Sequence, residues 1–342
     1  MPRVAAIDLF CGAGGLTHGL ISEGVPVVAG IDVEPACRYP FETNNAAQFF
    51  KEDVARLTTS TVDDLFGTAE VRILAGCAPC QPFSTYAQRY ETKGSPRWGL
   101  LYQFARLVKD AKADLVTMEN VPTVAKHEVF GDFVATLETL GYHVWHGVVD
   151  CVHFGLPQGR RRMVLLASRL GPIELIDRTH GRPVSVRDAI GALPPISAGE
   201  ASPKDRLHTA SKLSVLNLER IQASRPGGTW RDWPEHLIAE CHRRETGRTY
   251  PGVYGRMVWD EPAPTLTTQW HRHINLIETK KAAAAARQRP SGHLADTRLL
   301  LPDGESVGSI GPIFGGRHKV PARVGMLVNG AMGGEKLLGL PG

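Results

Sequence analysis

Six short apolar runs punctuate the first 170 residues, and the first four stop at a glycine or an acid. Val4–Phe10 leads into Gly12-Ala13-Gly14-Gly15, Val25–Ile31 into Asp32, Val71–Ala75 into Gly76 and Leu115–Met118 into Glu119. Val144–Val149 and Met163–Ala167 complete the set. Between them lie amphipathic stretches, among them Leu100–Val108 and Phe133–Leu140, with apolar residues three and four apart. Apolar strands alternating with helices predict an α/β fold: a doubly wound, mainly parallel sheet covered on both faces. Ligands of such sheets sit beyond the carboxyl ends of the strands. The chemically interesting residues gather at those ends: Gly12–Gly15, Asp32, Cys80 and Glu119.

The chain has 342 residues, 42% hydrophobic and 22% charged, with a mean hydropathy of -0.15. These values exclude a disordered chain and a disulfide-dense secreted scaffold. There is no run of 18 apolar residues, so no membrane partner is expected. The N-terminus enters a strand-like run directly and lacks the pattern of a signal peptide. Six cysteines without an export signal suggest reduced thiols and a cytoplasmic protein. A net charge of +4 permits a polyanionic partner without requiring one.

Residues 1–170 read as one domain. From about 171 to 268 the chain turns rich in Pro, Gly, Arg, His and Trp and loses its periodicity, which reads as a smaller, loop-rich domain. Lys280–Arg287 contains a run of five alanines, and residues 269–342 form an atypical, glycine-rich end.

In Asp8-Leu9-Phe10-Cys11-Gly12-Ala13-Gly14-Gly15 a strand runs into a glycine-rich turn, and Leu16–Ile21 begins a helix. Glycines let the backbone approach a ligand, and helix N-terminal amides attract anionic groups. Asp32 ends the next strand, where a carboxylate suits a ribose diol. Gly12-x-Gly14-x-x-Thr17 lacks the third glycine of the dinucleotide fingerprint, which favours S-adenosylmethionine over a nicotinamide cofactor.

Cys77-x-x-Cys80 has no second ligand pair nearby, so no metal is expected, and Pro79-Cys80-Gln81-Pro82 opens a helix too poorly for a redox pair. A nucleophilic Cys80 in a proline-fixed loop is the better reading. Glu119 ends a strand in the same crevice and can serve as an acid or hydrogen-bond donor. Arg160-Arg161-Arg162 precedes the last strand. Such a run is commonly a solvated face, but beside an anionic polymer it becomes a set of phosphate and base contacts.

Asp8–Gly15, Pro79–Ser84, Glu119-Asn120-Val121 and Gln158–Arg162, in this order, resemble the motifs of the DNA cytosine-5 methyltransferases of bacterial restriction-modification systems. The resemblance extends loosely to Tyr254-Gly255-Arg256 and Pro262–Thr268, similar to the segment that closes the family's target-recognition region. It implies a Rossmann-like, S-adenosylmethionine-dependent methyltransferase fold with a target-recognition domain over 171–268. It also implies base flipping, because carbon 5 is unreachable in the stack. Cys80 would attack carbon 6 of the flipped cytosine. Glu119, which would need burial to stay protonated at neutral pH, would hold N3 and the exocyclic amine. Carbon 5 would then take the methyl group, a base would remove its proton, and Cys80 would leave. Arg160 and Arg162 match the basic pair around the flipped nucleotide.

By the same resemblance, Phe10, Gly12, Ala13, Gly15, Asp32, Val33, Asp53, Val54, Pro79 and Leu100 line the S-adenosylmethionine site. Phe10 packs on adenine, Asp32 takes the ribose, and Asp53 receives the adenine amine. Asp32 stands where a Glu is commoner, and Val33 where a larger residue is frequent. The expected partner is double-stranded DNA, with a cognate restriction endonuclease as a functional rather than physical companion, and the expected state is a monomer. Trp230, Trp233, Arg243, Arg244, Arg248 and Arg256 give the recognition region a basic, aromatic character. The family's closing segments are not found after Thr268, so 269–342 is expected to be a degenerate or frameshifted end. That leaves a catalytically impaired DNA-binding relative as one alternative and a transfer-RNA cytosine-5 methyltransferase as another.

Overall fold

The computed structural model describes residues 3–79, 99–210, 212–244 and 255–265. Its strands are β1 Val4–Leu9, β2 Val27–Asp32, β3 Gln48–Lys51, β4 Val71–Gly76, β5 Leu115–Asn120, β6 His143–Asp150, β7 Gln158–Gly159, β8 Arg161–Ser168, β9 Ala201–Ser202, β10 Asp205–Thr209 and β11 Ala263–Pro264. Its α-helices are α1 Gly15–Ser22, α2 Arg38–Asn44, α3 Thr59–Phe66, α4 Leu100–Ala111, α5 Glu128–Thr139, α6 Val186–Ile190, α7 Val215–Ala223 and α8 Glu240–Arg243. They divide into two units, whose described residues are 3–79, 99–154 and 161–179 in the first and the remainder, beginning with 155–160, in the second.

The first unit is built on a seven-stranded sheet of order β3-β2-β1-β4-β5-β8-β6. The pairs β3–β2, β2–β1, β1–β4 and β4–β5 are parallel. β8 runs antiparallel to both β5 and β6. The expected mainly parallel sheet is therefore present, with an antiparallel strand set between β5 and β6. β2 begins after Pro26, although the apolar run starts at Val25.

Alternation along each strand fills both faces. Ile7, Leu9, Ile31, Leu74, Val116, Met118 and Leu165 pack with Val62 and Phe66 of α3, Leu101, Phe104 and Val108 of α4, and Phe133 and Leu137 of α5. Ala6, Val27, Ile73, Ala75, Val164 and Leu166 pack on the other side with Leu16 and Leu20 of α1 and with Ile173 and Ile176. The α4 stripe follows the expected spacing of three and four, and burying each large side chain contributes roughly 1.5–3 kcal/mol.

Strand order reverses between β1 and β4, a switch point at which open α/β sheets form a crevice. Register aligns the strand ends there: Leu9 lies beside Gly76, and Gly76 beside Met118. The glycine-rich turn and the Cys77–Pro79 segment thus leave the sheet at the strand ends near which Glu119 stands, still within β5.

The second unit is smaller and loop-rich. One cluster joins Val186 and Ile190 of α6 to Met257 and Ala263, and another joins Trp230, Trp233 and Leu237. β7 pairs with β11 in parallel, and β9 with β10 antiparallel. Ser185 caps α6 through a reciprocal bond with Asp188.

Candidate active site

The turn after β1 is tightly held. Phe10 adopts a left-handed φ of 58°, a conformation that costs a side-chain-bearing residue energy and is retained where the surroundings impose it. Gly14 has φ 88°, and a Cβ there would lie 2.5 Å from Asn45 Nδ2 and 2.7 Å from Phe41 Cδ2, so no other residue fits. The Cys11 amide donates to the Ile31 carbonyl at 3.1 Å.

The Asp32 carboxylate joins the two turns. Oδ2 accepts the Gly12 amide and Oδ1 the Glu34 amide, each at 2.9 Å. A carboxylate has about four lone-pair sites, so Asp32 keeps acceptor capacity for a diol. Val33, next in the chain, is 59% exposed, an open apolar surface at the strand end. Phe10, Ala13, Gly15 and Asp53 are half-buried, and Gly12 and Val54 are buried. Asp53 Oδ1 accepts the Ala55 amide at 2.9 Å. Arg106 of α4 donates to the Val54 carbonyl at 3.2 Å and so braces this segment. Leu100, half-buried, opens α4, and Pro79 is half-buried beyond β4. Apolar surface beside two carboxylates and a glycine turn fits an adenosine-bearing ligand.

Asp8 has a part that its motif did not announce. It is fully buried on the α1 face of β1. Gly14, the N-cap of α1, has no side chain to cap the helix, and Asp8 supplies the cap instead. Its Oδ2 accepts the Thr17 amide at 3.1 Å and the Thr17 hydroxyl at 2.7 Å. Oδ1 has no hydrogen-bond partner among the described residues. Burial pushes this carboxyl up from 3.8 to about 7, the Thr17 bonds pull it down in part, and Asp32 adds to the rise. Burial likewise drives the neighbouring Cys11 thiol upward, which makes it an inert core group.

Glu119 is the fifth residue of β5, which runs two residues further than its apolar run suggested, and its side chain is 11% exposed. It pairs with Arg162, whose Nε lies 2.7 Å from Oε1. Register explains the contact. Glu119 lies opposite Val164 on antiparallel β8, and Arg162, two residues before Val164, projects from the same face of the sheet. Glu119 is thus buried, with a cation beside it. Arg161 falls on the other face.

Asn120, 1% exposed, is the other side chain the sequence left without a role. Its Nδ2 donates to the Ala78 carbonyl at 3.1 Å, and its Oδ1 accepts the Val121 amide at 2.8 Å. Cys80 itself lies outside the described residues, as do Arg248, Tyr254, Leu266–Thr268 and the whole of 269–342.

Arg160 is buried and belongs to the second unit. Trp230 and Trp233, which give that region its aromatic character and to which the sequence assigned no site, form a small buried core with Leu237. Trp230 stacks on His242 with ring centres 4.4 Å apart, and the Trp233 indole donates to Ser224 Oγ at 2.7 Å. Arg256 donates to the Ser224 carbonyl at 2.9 Å, and Arg243 pairs with Glu235 at 3.3 Å. These two arginines brace the fold of the unit.

The sheet order and its glycine turn define the Rossmann-like class of methyltransferase folds. A DNA modification methyltransferase from an Escherichia coli prophage superposes with a TM-score of 0.58 at 18% identity, covering 82% of this chain and 88% of that one. The Entamoeba histolytica methyltransferase EhMeth gives 0.55 at 14% identity, covering 86% and 94%. Residues 4–303 match the family model of C-5 cytosine-specific DNA methylases, and the chain belongs to that family. It is 48% identical over 276 residues to the Type II methylase M.HgiDII of Herpetosiphon aurantiacus, covering 79% of this chain and 77% of the relative. It is 31% identical to the Type II methyltransferase M1.HphI of Haemophilus parahaemolyticus over 68% of this chain, spanning 63% of that protein's length.

Proposed function

We propose that this chain transfers a methyl group to carbon 5 of cytosine within a specific duplex DNA sequence, as the modification enzyme of a Type II restriction-modification system. The observation that carries the reading is the row of strand ends: the glycine turn after β1, Ala78–Pro79 after β4, and the buried Glu119–Arg162 pair at the end of β5. S-adenosylmethionine, when bound, supplies the methyl group. Phe10, Val33 and Leu100 offer apolar surface to its adenine, Asp32 accepts from its ribose, Asp53 accepts from its amine, and the turn through Gly12, Ala13 and Gly15 approaches it with backbone alone, near Val54 and Pro79.

Carbon 5 of cytosine is a feeble nucleophile while the ring stays conjugated. The Cys80 thiolate adds to carbon 6 of a flipped cytosine and so makes carbon 5 reactive. Glu119 gives its proton to N3 as charge develops there and accepts from the exocyclic amine, and Arg162 fixes its side chain. Arg160 and Arg162 are the basic pair that holds the flipped nucleotide. Loss of the carbon 5 proton to a base then lets Cys80 leave. The enzyme works as a monomer in the cytoplasm, and an endonuclease of matching specificity is a functional partner only.

Duplexes carrying 5-fluorocytosine test this. With methyl donor present, carbon 5 bears fluorine in place of the removable proton, so the protein stays attached to DNA through Cys80. Mass spectrometry should find the adduct on the peptide holding Cys80, and Cys80→Ala should form none. An adduct elsewhere, or cytosine methylation by Cys80→Ala, overturns the assignment.

A further inference from the structure

We infer that Arg106 is the positioning residue that aims Asp53 at the adenine amine of the methyl donor and so sets the site's preference for adenine; the inference rests on the reading of Asp53 as the acceptor of that amine. Asp53 opens the short 3-10 turn Val54–Arg56, and its Oδ1 accepts the Ala55 amide at 2.9 Å. Oδ2 has no hydrogen-bond partner among the described residues, so the carboxylate keeps an oxygen for a ligand. Arg106, on α4 and 52 residues beyond Val54, donates from Nη2 to the Val54 carbonyl at 3.2 Å. That carbonyl and the Ala55 amide belong to one planar peptide unit. The unit is therefore held from both sides, its oxygen by the arginine and its N–H by Asp53.

Several features make this a clamp rather than a stray surface contact. All three guanidinium nitrogens are engaged: Nε with Gln103 Oε1 at 2.8 Å, Nη1 with Asp110 Oδ2 at 3.2 Å, and Nη2 with Val54. A planar fork held at three points has one orientation, which a lysine ammonium does not reproduce. Gln103 and Asp110 stand three residues before Arg106 and four after it, so the helix surface itself aims the fork. Val54 is 2% exposed and shares a core cluster with Leu101, Phe104 and Ala105 of the same helix. The clamped peptide cannot turn without breaking that packing. A charged donor on its carbonyl also polarises the unit and strengthens the N–H bond to Asp53. Leu100, read above as apolar surface for adenine, opens that same helix. The helix thereby sets the apolar wall and the amine's acceptor in one frame.

Preference for adenine is what this arrangement controls and what a general loosening of the site does not. S-Inosylhomocysteine differs from S-adenosylhomocysteine at the edge of the base, where a carbonyl oxygen replaces the amine. A fixed carboxylate repels that oxygen, and one free to swing aside tolerates it. The wild-type chain should bind S-adenosylhomocysteine more tightly than S-inosylhomocysteine by at least about thirtyfold, measured by calorimetry. Arg106→Met keeps an apolar stem and removes the fork. It should cut that ratio at least about fivefold, chiefly by weakening S-adenosylhomocysteine.

A double-mutant cycle shows whether the effect passes through Asp53. Asp53→Ala alone should bring the ratio close to one, and adding Arg106→Met should change it no further. Arg106→Lys, which keeps the charge without the fork and is the gentler change to the fold, should lower the ratio in the same direction. A wild-type chain that binds both ligands equally, or neither, defeats the reading of Asp53 and the inference with it. A large wild-type ratio that persists in Arg106→Met overturns the inference alone. So does an equal loss of affinity for both ligands, a further fall in the ratio on adding Arg106→Met to Asp53→Ala, or failure of both Arg106 variants to fold, since none of these routes the preference through Asp53.

Discussion

Asp8→Asn should remove the pH dependence that the buried carboxyl imposes on the first unit. In the folded chain this carboxyl titrates at about 7, against 3.8 in its ordinary state. Between those values the folded chain holds a proton that the unfolded chain has released. Stability contributed by the neutral carboxyl is therefore complete below 3.8 and is lost as pH rises through 7. The shift corresponds to about 4 kcal/mol, at about 1.4 kcal/mol for each tenfold change in proton affinity. Asparagine keeps an oxygen for the Thr17 amide and hydroxyl and cannot ionise. Its NH2 group, directed where Oδ1 now lies, adds a fixed desolvation cost of about 1–3 kcal/mol that does not vary with pH.

The useful quantity is the change in the difference between variant and wild type. Urea unfolding followed by far-ultraviolet circular dichroism, at steps from about pH 4 to pH 8, should show the variant gaining about 4 kcal/mol on the wild type. The fixed cost makes it the less stable protein in acid, and the two curves cross as pH rises. A difference that stays constant within about 1 kcal/mol across the range refutes the account, because the carboxyl would then titrate at an ordinary value in the folded chain.

Two further substitutions probe the site. Arg162→Met leaves Glu119 buried without its cation and should destabilise the first unit by about 3 kcal/mol, and adding Glu119→Gln should recover most of that loss in a double-mutant cycle by urea unfolding. Gly14→Ala places a Cβ within 2.7 Å of both Asn45 and Phe41 at a φ of 88°. It should cost at least about 2 kcal/mol and weaken S-adenosylmethionine binding at least tenfold by calorimetry.

Much of the sheet could be read from the chain because β1, β2, β4, β5 and β8 are largely buried runs, the first four of them stopping at or near a glycine or an acid. β3 could not. Its four residues, Gln48-Phe49-Phe50-Lys51, are polar at both ends, as an edge strand is, and too short to show a period. The Gly turn, Asp32 and Glu119 announced themselves by type and place. Asp8 and Asn120 did not, because their roles lie in what faces them across the fold: Thr17 over the helix start and Ala78 on the next strand. Trp230 and Trp233 show the limit of composition, since tryptophans among arginines describe a nucleic-acid surface and a small braced core equally well, and these form a core.

The boundary between the two units cuts through the arginine run, leaving Arg160 with one and Arg161 and Arg162 with the other. Exchange of the smaller unit for that of a relative therefore has natural seams at 154/155, 160/161 and 179/180. A graft that carries its own residue 162 across would import a foreign counter-ion for Glu119. Chimaeras joined before Arg161 keep that ion pair native, and should be the ones whose first unit keeps its stability.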